Sequence, residues 1–379
     1  MLLGNPAAYS LSPGHGGEGR GEGGSSRLTP PASPAAGADA SRLPPPASPA
    51  ASADASPAAG ADASRLPPPA LPEAGSSLLT PHSSPGRGRA GRTRFPDGRQ
   101  HFHHGPIDLV IGADGASAAV EAAMEQAWAR FQSVLSELVG ELALLRAPVQ
   151  LAGGVRGPIA RRMAAACWPH REQFITPMAA VAGAVADDII EFFRGRPGVR
   201  RAYVNNGGDI AVHLAHGESY RVGLLADPSR VRPLEPWRLD GDFDLRAELP
   251  VRGVATSGWR GRSFSLGIAD SVTVLACSAA EADAAATMIA NAVNVADPVI
   301  VRKPACALKD DADLGERLVT VEVGALSDGQ IEAALTAGER LAQRLREEGT
   351  IAAAVLCLQR AVRVCGAGAL PGTPHDHVV

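Results

Sequence analysis

The chain changes character near residue 94, and this break bounds what can fold. Of its 31 prolines, 17 precede residue 100, and Tyr9 is the only Phe, Trp or Tyr before Phe95. The segment ASPAAGADASRLPPP occurs twice, at 32–46 and 55–69, but two copies without large apolar side chains cannot stack a core. Ordering a residue costs ~1–2 kcal/mol of backbone entropy, and this stretch buries too little to offset it. Residues 1–93 are therefore expected to be a disordered extension, either a functional arm or the product of a start codon placed too far upstream. Residues 94–367 are expected to form the folded domain and 368–379 a flexible tail.

Several function classes drop out early. The start, MLLGNPAAYSLSPGHG, lacks the basic region and long apolar run of a signal peptide. No uncharged apolar run reaches the ~18–20 residues of a membrane helix. Cys167, Cys277, Cys306, Cys357 and Cys365 show no CxxC spacing, which fits reduced thiols in a cytoplasmic protein. A net charge of −4 gives no electrostatic footprint for nucleic acid. The basic run GRGRAGRTRF at 86–95 reads as solvated linker. Its Gly86, Gly88 and Gly91 match GxGxxG, but without the flanking strand and helix that would aim them at a pyrophosphate. The only lysines are Lys303 and Lys309, and neither follows GxxxxG, so a P-loop is excluded.

Beyond residue 94 the pattern becomes periodic. HFHHGPIDLVIGA reads as a strand with its core at Ile107 to Ile111. Apolar residues at three- and four-residue spacing predict a helix over 117–146. Thr176-Pro177 predicts the capped start of a second helix, reaching Phe193, whose interior MAAVAGAVA is so small that something must pack close to its backbone. Residues 201–225 read as a meander turning at NGGD and near Gly217. A strand follows at Ser271 to Cys277, then a helix opened by a Ser278/Glu281 capping box. A final unit has the strand LVTVEV, a helix capped by Ser327 with Gln330, and the strands IAAAVLCL and AVRVC. Hairpins mixed with helices give an α+β fold.

Two places offer site chemistry. Asp283, Thr287 and Asn291 are four residues apart and form one helical stripe. It is either a solvated face or a source of oxygens for a hard cation such as Mg²⁺, which takes few protein ligands and completes its shell with water and phosphate. NNGGD at 205–209 is either a hairpin turn or a cradle where backbone N–H groups approach a phosphate or flavin. His101, His103 and His104 lack an acidic or cysteine partner nearby in sequence. Ser257, in ATSGW, is not in a GxSxG context.

Taken in order, TPMAAVAGAVAD (176–187), NNGGDI (205–210), VATSG (254–258) and ADAAAT (282–287) resemble the ApbE-like superfamily, whose characterised members are Mg²⁺-dependent FAD:protein FMN transferases. The resemblance covers about residues 95–366. It implies a fold of the tunnelling (T-fold) type, a mixed sheet with packed helices in one domain. HHGPIDL and GVATSGWRGRSFSLGIADSVTV are most similar to an uncharacterised branch. By resemblance, Asp283, Thr287 and the Ala179 carbonyl match the Mg²⁺ ligands. Gly207, Gly208 and Asp209, with Thr256 and Ser257, match the flavin site.

The departures are equally specific. Where the transferases carry an AKG triplet, this chain has Val181-Ala182-Gly183. Their HIxDPxTG segment is absent, and no histidine lies between His216 and His375. Arg260 and Arg262 can meet a phosphate, but a guanidinium cannot act as a base. The expectation is an ApbE-like protein binding FAD, FMN or another phosphorylated ligand with Mg²⁺. The alternative is a scaffold on the same fold that uses a protein partner or self-association, and the transferase activity itself ranks below both.

Overall fold

The computed structural model describes residues 11–13, 88–224 and 241–366, all within one compact unit. Of the extension expected over 1–93, only 11–13 and 88–93 fall among these, and the tail 368–379 lies outside them. The strands are β1 (Leu11–Pro13), β2 (Gly91–Arg94), β3 (Gln100–His104), β4 (Ile107–Gly115), β5 (Val199–Asn206), β6 (Asp209–Leu214) and β7 (Ser219–Leu224). They continue as β8 (Gly241–Arg246), β9 (Gly253–Ser257), β10 (Ser271–Ala276), β11 (Ile300–Pro304), β12 (Leu318–Val323), β13 (Ala353–Leu358) and β14 (Ala361–Cys365). The main helices are α1 (Ser117–Gly140), α2 (Pro158–Cys167), α3 (Val181–Ile190), α4 (Ala279–Ala292) and α5 (Asp328–Glu347).

Nine strands form one sheet in the order β14-β13-β10-β9-β6-β5-β4-β3-β2. Two halves share a plan. In each, a strand pair (β3-β4, then β9-β10) leads through helices to a second pair (β5-β6, then β13-β14). The halves join where Ile210 pairs with Val254 and Ala211 with Gly253. The α+β architecture is as expected. The sheet is antiparallel at every junction rather than mixed, because each helical excursion returns its strand against the one it left.

Helices cover one face, where Phe131, Met163, Ile189, Ile289 and Leu335 bury against Leu109, Ile111 and Leu356. On the other face Tyr220, Val222, Phe243 and Leu245 pack against Ile210, Val212 and Leu214. The expected meander is therefore split. β7 leaves the main sheet and pairs with β8, because the second face needs an apolar cover more than the sheet needs another strand. No helix of the described residues is long and apolar enough to cross a membrane.

Other expectations change in detail. The run at 86–95 is not all linker: β2 is the edge strand beside β3. The helix expected over 117–146 breaks after Gly140, and Glu141 turns its carboxylate to the Arg156 and Gly157 N–H groups (2.6 and 2.7 Å) ahead of α2. Helix α2 itself has no strong sequence signal. Thr176 does not cap the next helix, since its hydroxyl donates to Asp313 Oδ2 (2.5 Å) and a short 3₁₀ turn, Pro177–Ala180, precedes α3. Ser278 does cap α4, accepting from the Glu281 N–H (3.2 Å). The Ser327/Gln330 capping box of α5 is fully made.

Small residues in α3 let it meet the first turn of α4 backbone to backbone. A Cβ at Gly183 would lie 2.2 Å from the Ala279 carbonyl oxygen, and one at Gly253 would lie 2.1 Å from that of Ser278. Gly183→Ala is expected to cost about 1–3 kcal/mol by forcing these backbones apart. The measure is a lower urea midpoint at unchanged slope. Gly329→Ala, where nothing lies within 4 Å, serves as the control and should leave the midpoint near that of the unmodified chain.

Candidate functional site

The junction between β6 and β9 brings the two glycine-containing motifs together. Gly207 (φ +69°) and Gly208 (φ +118°) take backbone conformations that side chains disfavour, which closes the β5-β6 hairpin sharply. Asn205 Oδ1 accepts from the Gly208 N–H (2.8 Å), and Asn206 Nδ2 donates to the Ala182 carbonyl (3.1 Å), tying the turn to α3. Asp209 emerges half-buried and accepts from the Thr256 N–H (3.2 Å) of β9. The Thr256 hydroxyl lies 2.8 Å from that of Thr273.

Above this turn, α3 and α4 cap each other. Asp187 of α3 accepts from the first N–H groups of α4, Ala279 (3.0 Å) and Ala280 (2.9 Å). Asp283 of α4 accepts in return from the Gly183 N–H (3.0 Å) in the first turn of α3. Each carboxylate satisfies donors that a helix start leaves without intrahelical partners, and each sits at the positive end of the other's dipole.

Electrostatics makes this a strained acidic cluster. Burial pushes Asp209 up to about 7, although the Thr256 N–H and the Arg262 charge oppose it. Asp283 lies well above the usual carboxylate range, first through burial and then through the nearby charge of Asp209, with Gly183 pulling the other way. Burial also raises Asp187 to about 6 against its two N–H donors, and lifts the Cys167 thiol, on which Asp283 acts as well. A carboxylate raised by burial beside a second one whose charge raises it further is a pair that a cation would relieve.

The expected residues fall into three groups. Gly207, Gly208, Asp209, Thr256 and Asp283 converge. Ser257 and Ala179 are half-buried on flanking segments, and Thr287 is half-buried one turn beyond Asp283, with no side-chain hydrogen bond among the described residues. The arginines separate: Arg262 lies across Gly207, where a Cβ would come 1.7 Å from its Nη2, whereas Arg260 donates to Asp270 Oδ1 (2.9 Å) and stacks on Trp259. Asn291 does not extend the stripe, because its Oδ1 accepts from the Leu266 N–H (2.9 Å) and faces the Ser265 hydroxyl (3.3 Å). His101 has an acidic neighbour after all, Asp108 on the adjacent strand at 3.0 Å, but the described residues hold no group of three His, Cys, Asp or Glu side chains arranged for a metal.

Asp187, Asn205 and Asn206 are functional to the geometry and were not marked as such by sequence reasoning. All three stand inside the motifs that carry the resemblance: Asp187 closes TPMAAVAGAVAD, and Asn205 and Asn206 open NNGGDI. The Asp187-Asp188 pair on an otherwise apolar helix is the signal that points there, and only packing separates Asp187, which faces α4, from Asp188, which pairs with Arg130.

A family model described as AbpE bacteria matches residues 92–366. A UPF0280 protein from Methanothermobacter thermautotrophicus is 39% identical over 171 residues, covering 44% of this chain and 61% of that protein. One from Methanospirillum hungatei is 38% identical over 144 residues, covering 38% and 54%. These two matches thus span only about half to three-fifths of the relatives' length. A UPF0280 protein from Methanopyrus kandleri is 33% identical over 220 residues, covering 56% of this chain and 83% of the relative. Among solved structures, the apo flavinyl transferase ApbE of Pseudomonas stutzeri is 14% identical, with 74% and 96% coverage and a TM-score of 0.32. The apbe protein of Thermotoga maritima is 13% identical, with 73% and 96% coverage and the same score.

Asp187 yields a pH prediction. Between the ordinary carboxylate range and about 6, the folded chain holds a proton that the unfolded chain has lost, so this group contributes less stability as pH rises through that window. The unfolding free energy of Asp187→Asn relative to the unmodified chain is expected to move in the variant's favour between about pH 4 and pH 6. A difference that stays flat across the window would mean that Asp187 titrates normally.

Proposed function

The chain belongs to the AbpE bacteria family, and from that premise we propose that it binds a flavin nucleotide (FAD or FMN), or a similar phosphorylated ligand, together with Mg²⁺. The observation that carries this is the meeting of two half-buried carboxylates, Asp209 at the start of β6 and Asp283 on α4, both raised by burial, with the charge of Asp209 raising Asp283 further. Their donor set suits the ion. Each carboxylate has lone pairs beyond those its N–H partner takes. Thr287 and the Ala179 carbonyl add neutral oxygens, as the resemblance implies. Mg²⁺ needs few protein ligands when ligand phosphates and water complete its shell.

When bound, the ion supplies positive charge that orients and neutralises phosphate oxygens. The chain's own residues do the rest. The glycine turn presents backbone without side chains, Thr256 and Ser257 at the end of β9 flank it, and Arg262, lying across Gly207, offers a guanidinium to the ligand's phosphate. No lysine stands at the Val181-Ala182-Gly183 triplet and no histidine lies between the TSG segment and His375, so the proposal stops at binding. FMN transfer to a protein hydroxyl would need a proton acceptor that these segments do not offer.

A second reading, a ligand-free scaffold that binds a protein partner or itself, gains from the capping role of Asp283, which accounts for that residue without a metal. Asp209 separates the two, because it caps no helix. Thermal unfolding of the purified protein is expected to rise by several degrees with FMN or FAD plus Mg²⁺, the magnitude that follows from ligand held far above its dissociation constant. Asp209→Asn should remove the Mg²⁺ dependence. Arg262→Ala should weaken the nucleotide about tenfold, the loss of roughly one charge-assisted contact. No Mg²⁺-dependent shift with FAD, FMN or ADP would leave the scaffold.

A further inference from the structure

The loop that carries Arg262 is held by one carboxylate, Asp270. Gly258, at the loop's start, packs so tightly that a Cβ there would lie 2.4 Å from the Asp270 carbonyl oxygen. The Trp259 N–H donates to the Ala269 carbonyl (3.0 Å) and the Gly261 N–H to that of Gly258 (3.1 Å), so Trp259 and Arg260 form the centre of a tight turn. Asp270 Oδ1 then accepts from both side chains of that turn, Trp259 Nε1 (3.2 Å) and Arg260 Nε (2.9 Å). The Arg260 guanidinium lies 4.6 Å above the Trp259 ring.

The other oxygen of Asp270 reaches a second strained element. Oδ2 accepts from the Gln359 N–H (2.6 Å) in the β13-β14 turn, where Gln359 (φ +45°) and Arg360 (φ +75°) both hold a left-handed backbone without glycine. The Gln359 side chain fixes that turn, accepting from the Leu326 N–H (3.0 Å) and donating to the Gly324 carbonyl (2.6 Å). Strain of this kind persists only where surrounding bonds over-determine it. With both oxygens committed to protein donors, Asp270 is poorly placed to bind a ligand itself. Its direct effect is on where the loop sits.

Arg262 follows this turn directly. Its guanidinium occupies the space that a side chain at Gly207 would fill, its charge acts on Asp209, and it makes no hydrogen bond or ion pair to the described residues. We propose that Asp270 is the positioning residue for phosphate recognition. It latches the 258–261 turn to the β13-β14 hairpin, so that Arg262, the next residue, is held over the glycine turn before a ligand arrives. This presumes the nucleotide site proposed above, and it assigns Asp270 to the phosphate and not to the metal.

Calorimetric titrations with Mg²⁺ alone, and with FMN in the presence of Mg²⁺, test the proposal on four chains: unmodified, Asp270→Asn, Arg262→Ala and the double variant. Asp270→Asn is expected to weaken FMN about tenfold while Mg²⁺ affinity holds, and the double variant should bind no worse than Arg262→Ala. An unchanged FMN affinity, a parallel loss of Mg²⁺ affinity, or fully additive losses would each overturn it. Amide hydrogen exchange judges the latch even if the unmodified protein binds no FMN, an outcome that would sink the nucleotide site instead. Exchange over 259–262 should quicken in Asp270→Asn while the α3 and α4 starts at 182–183 and 279–280 stay protected, and unchanged exchange over 259–262 overturns the latch. Should that variant fail to fold, Arg260→Ala removes a single latch bond and must show a smaller loss of FMN affinity and the same local exchange, or the proposal falls.

Discussion

Everything at the centre of this molecule depends on two aspartates that trade places. Asp187 of α3 covers the first amides of α4, and Asp283 of α4 covers one at the start of α3. Helix starts carry unpaired donors and partial positive charge, and burying them bare would be costly. The exchange requires the helices to meet almost backbone to backbone, which in turn requires Gly183 and the alanines around it. Small residues, close approach and reciprocal caps are thus one constraint seen from three sides. Asp283 is delivered by that constraint into the cluster with Asp209.

The second constraint is the narrow seam between the halves of the sheet. Only two residue pairs join β6 to β9, and the Asp209–Thr256 bond continues the contact just past them. The glycine turn and the TSG loop face each other because each lies at the end of a strand in its own half. A site built this way sits where the two repeats meet, so that neither half contains it alone.

Burial raises Asp209 and Asp283, and the charge of Asp209 raises Asp283 further, which is the electrostatic setting that favours a cation. Beside it, a loop built on Trp259, Arg260 and Arg262 follows the TSG segment, and it is anchored to the β13-β14 hairpin through Asp270. The anchoring gives Arg260 and Arg262, neighbours in a basic run, different work. One is spent on the latch, and the other remains available over Gly207.

Much of this was legible from residues alone. Period-3.6 and hairpin signals found α1, α4, α5 and most strands, the NNGGD turn followed from glycine's freedom at positive φ, and the small interior of α3 announced a close neighbour. Helix α2, the defection of β7 to a second sheet, and the hairpin contributing β3 were not, because local propensity does not say which face still lacks a cover. The same limit applied at the site. Sequence determined that Asp187 and Asp283 lie on helices and Asp209 at a hairpin turn, and periodicity told which helix face Asp283 shares with Thr287. Only the tertiary structure decided what each carboxylate accepts from: helix starts for Asp187 and Asp283, a strand amide for Asp209, a latch for Asp270. A carboxylate binds whichever unpaired donors packing brings within about 3 Å, and those donors come from segments far away along the chain.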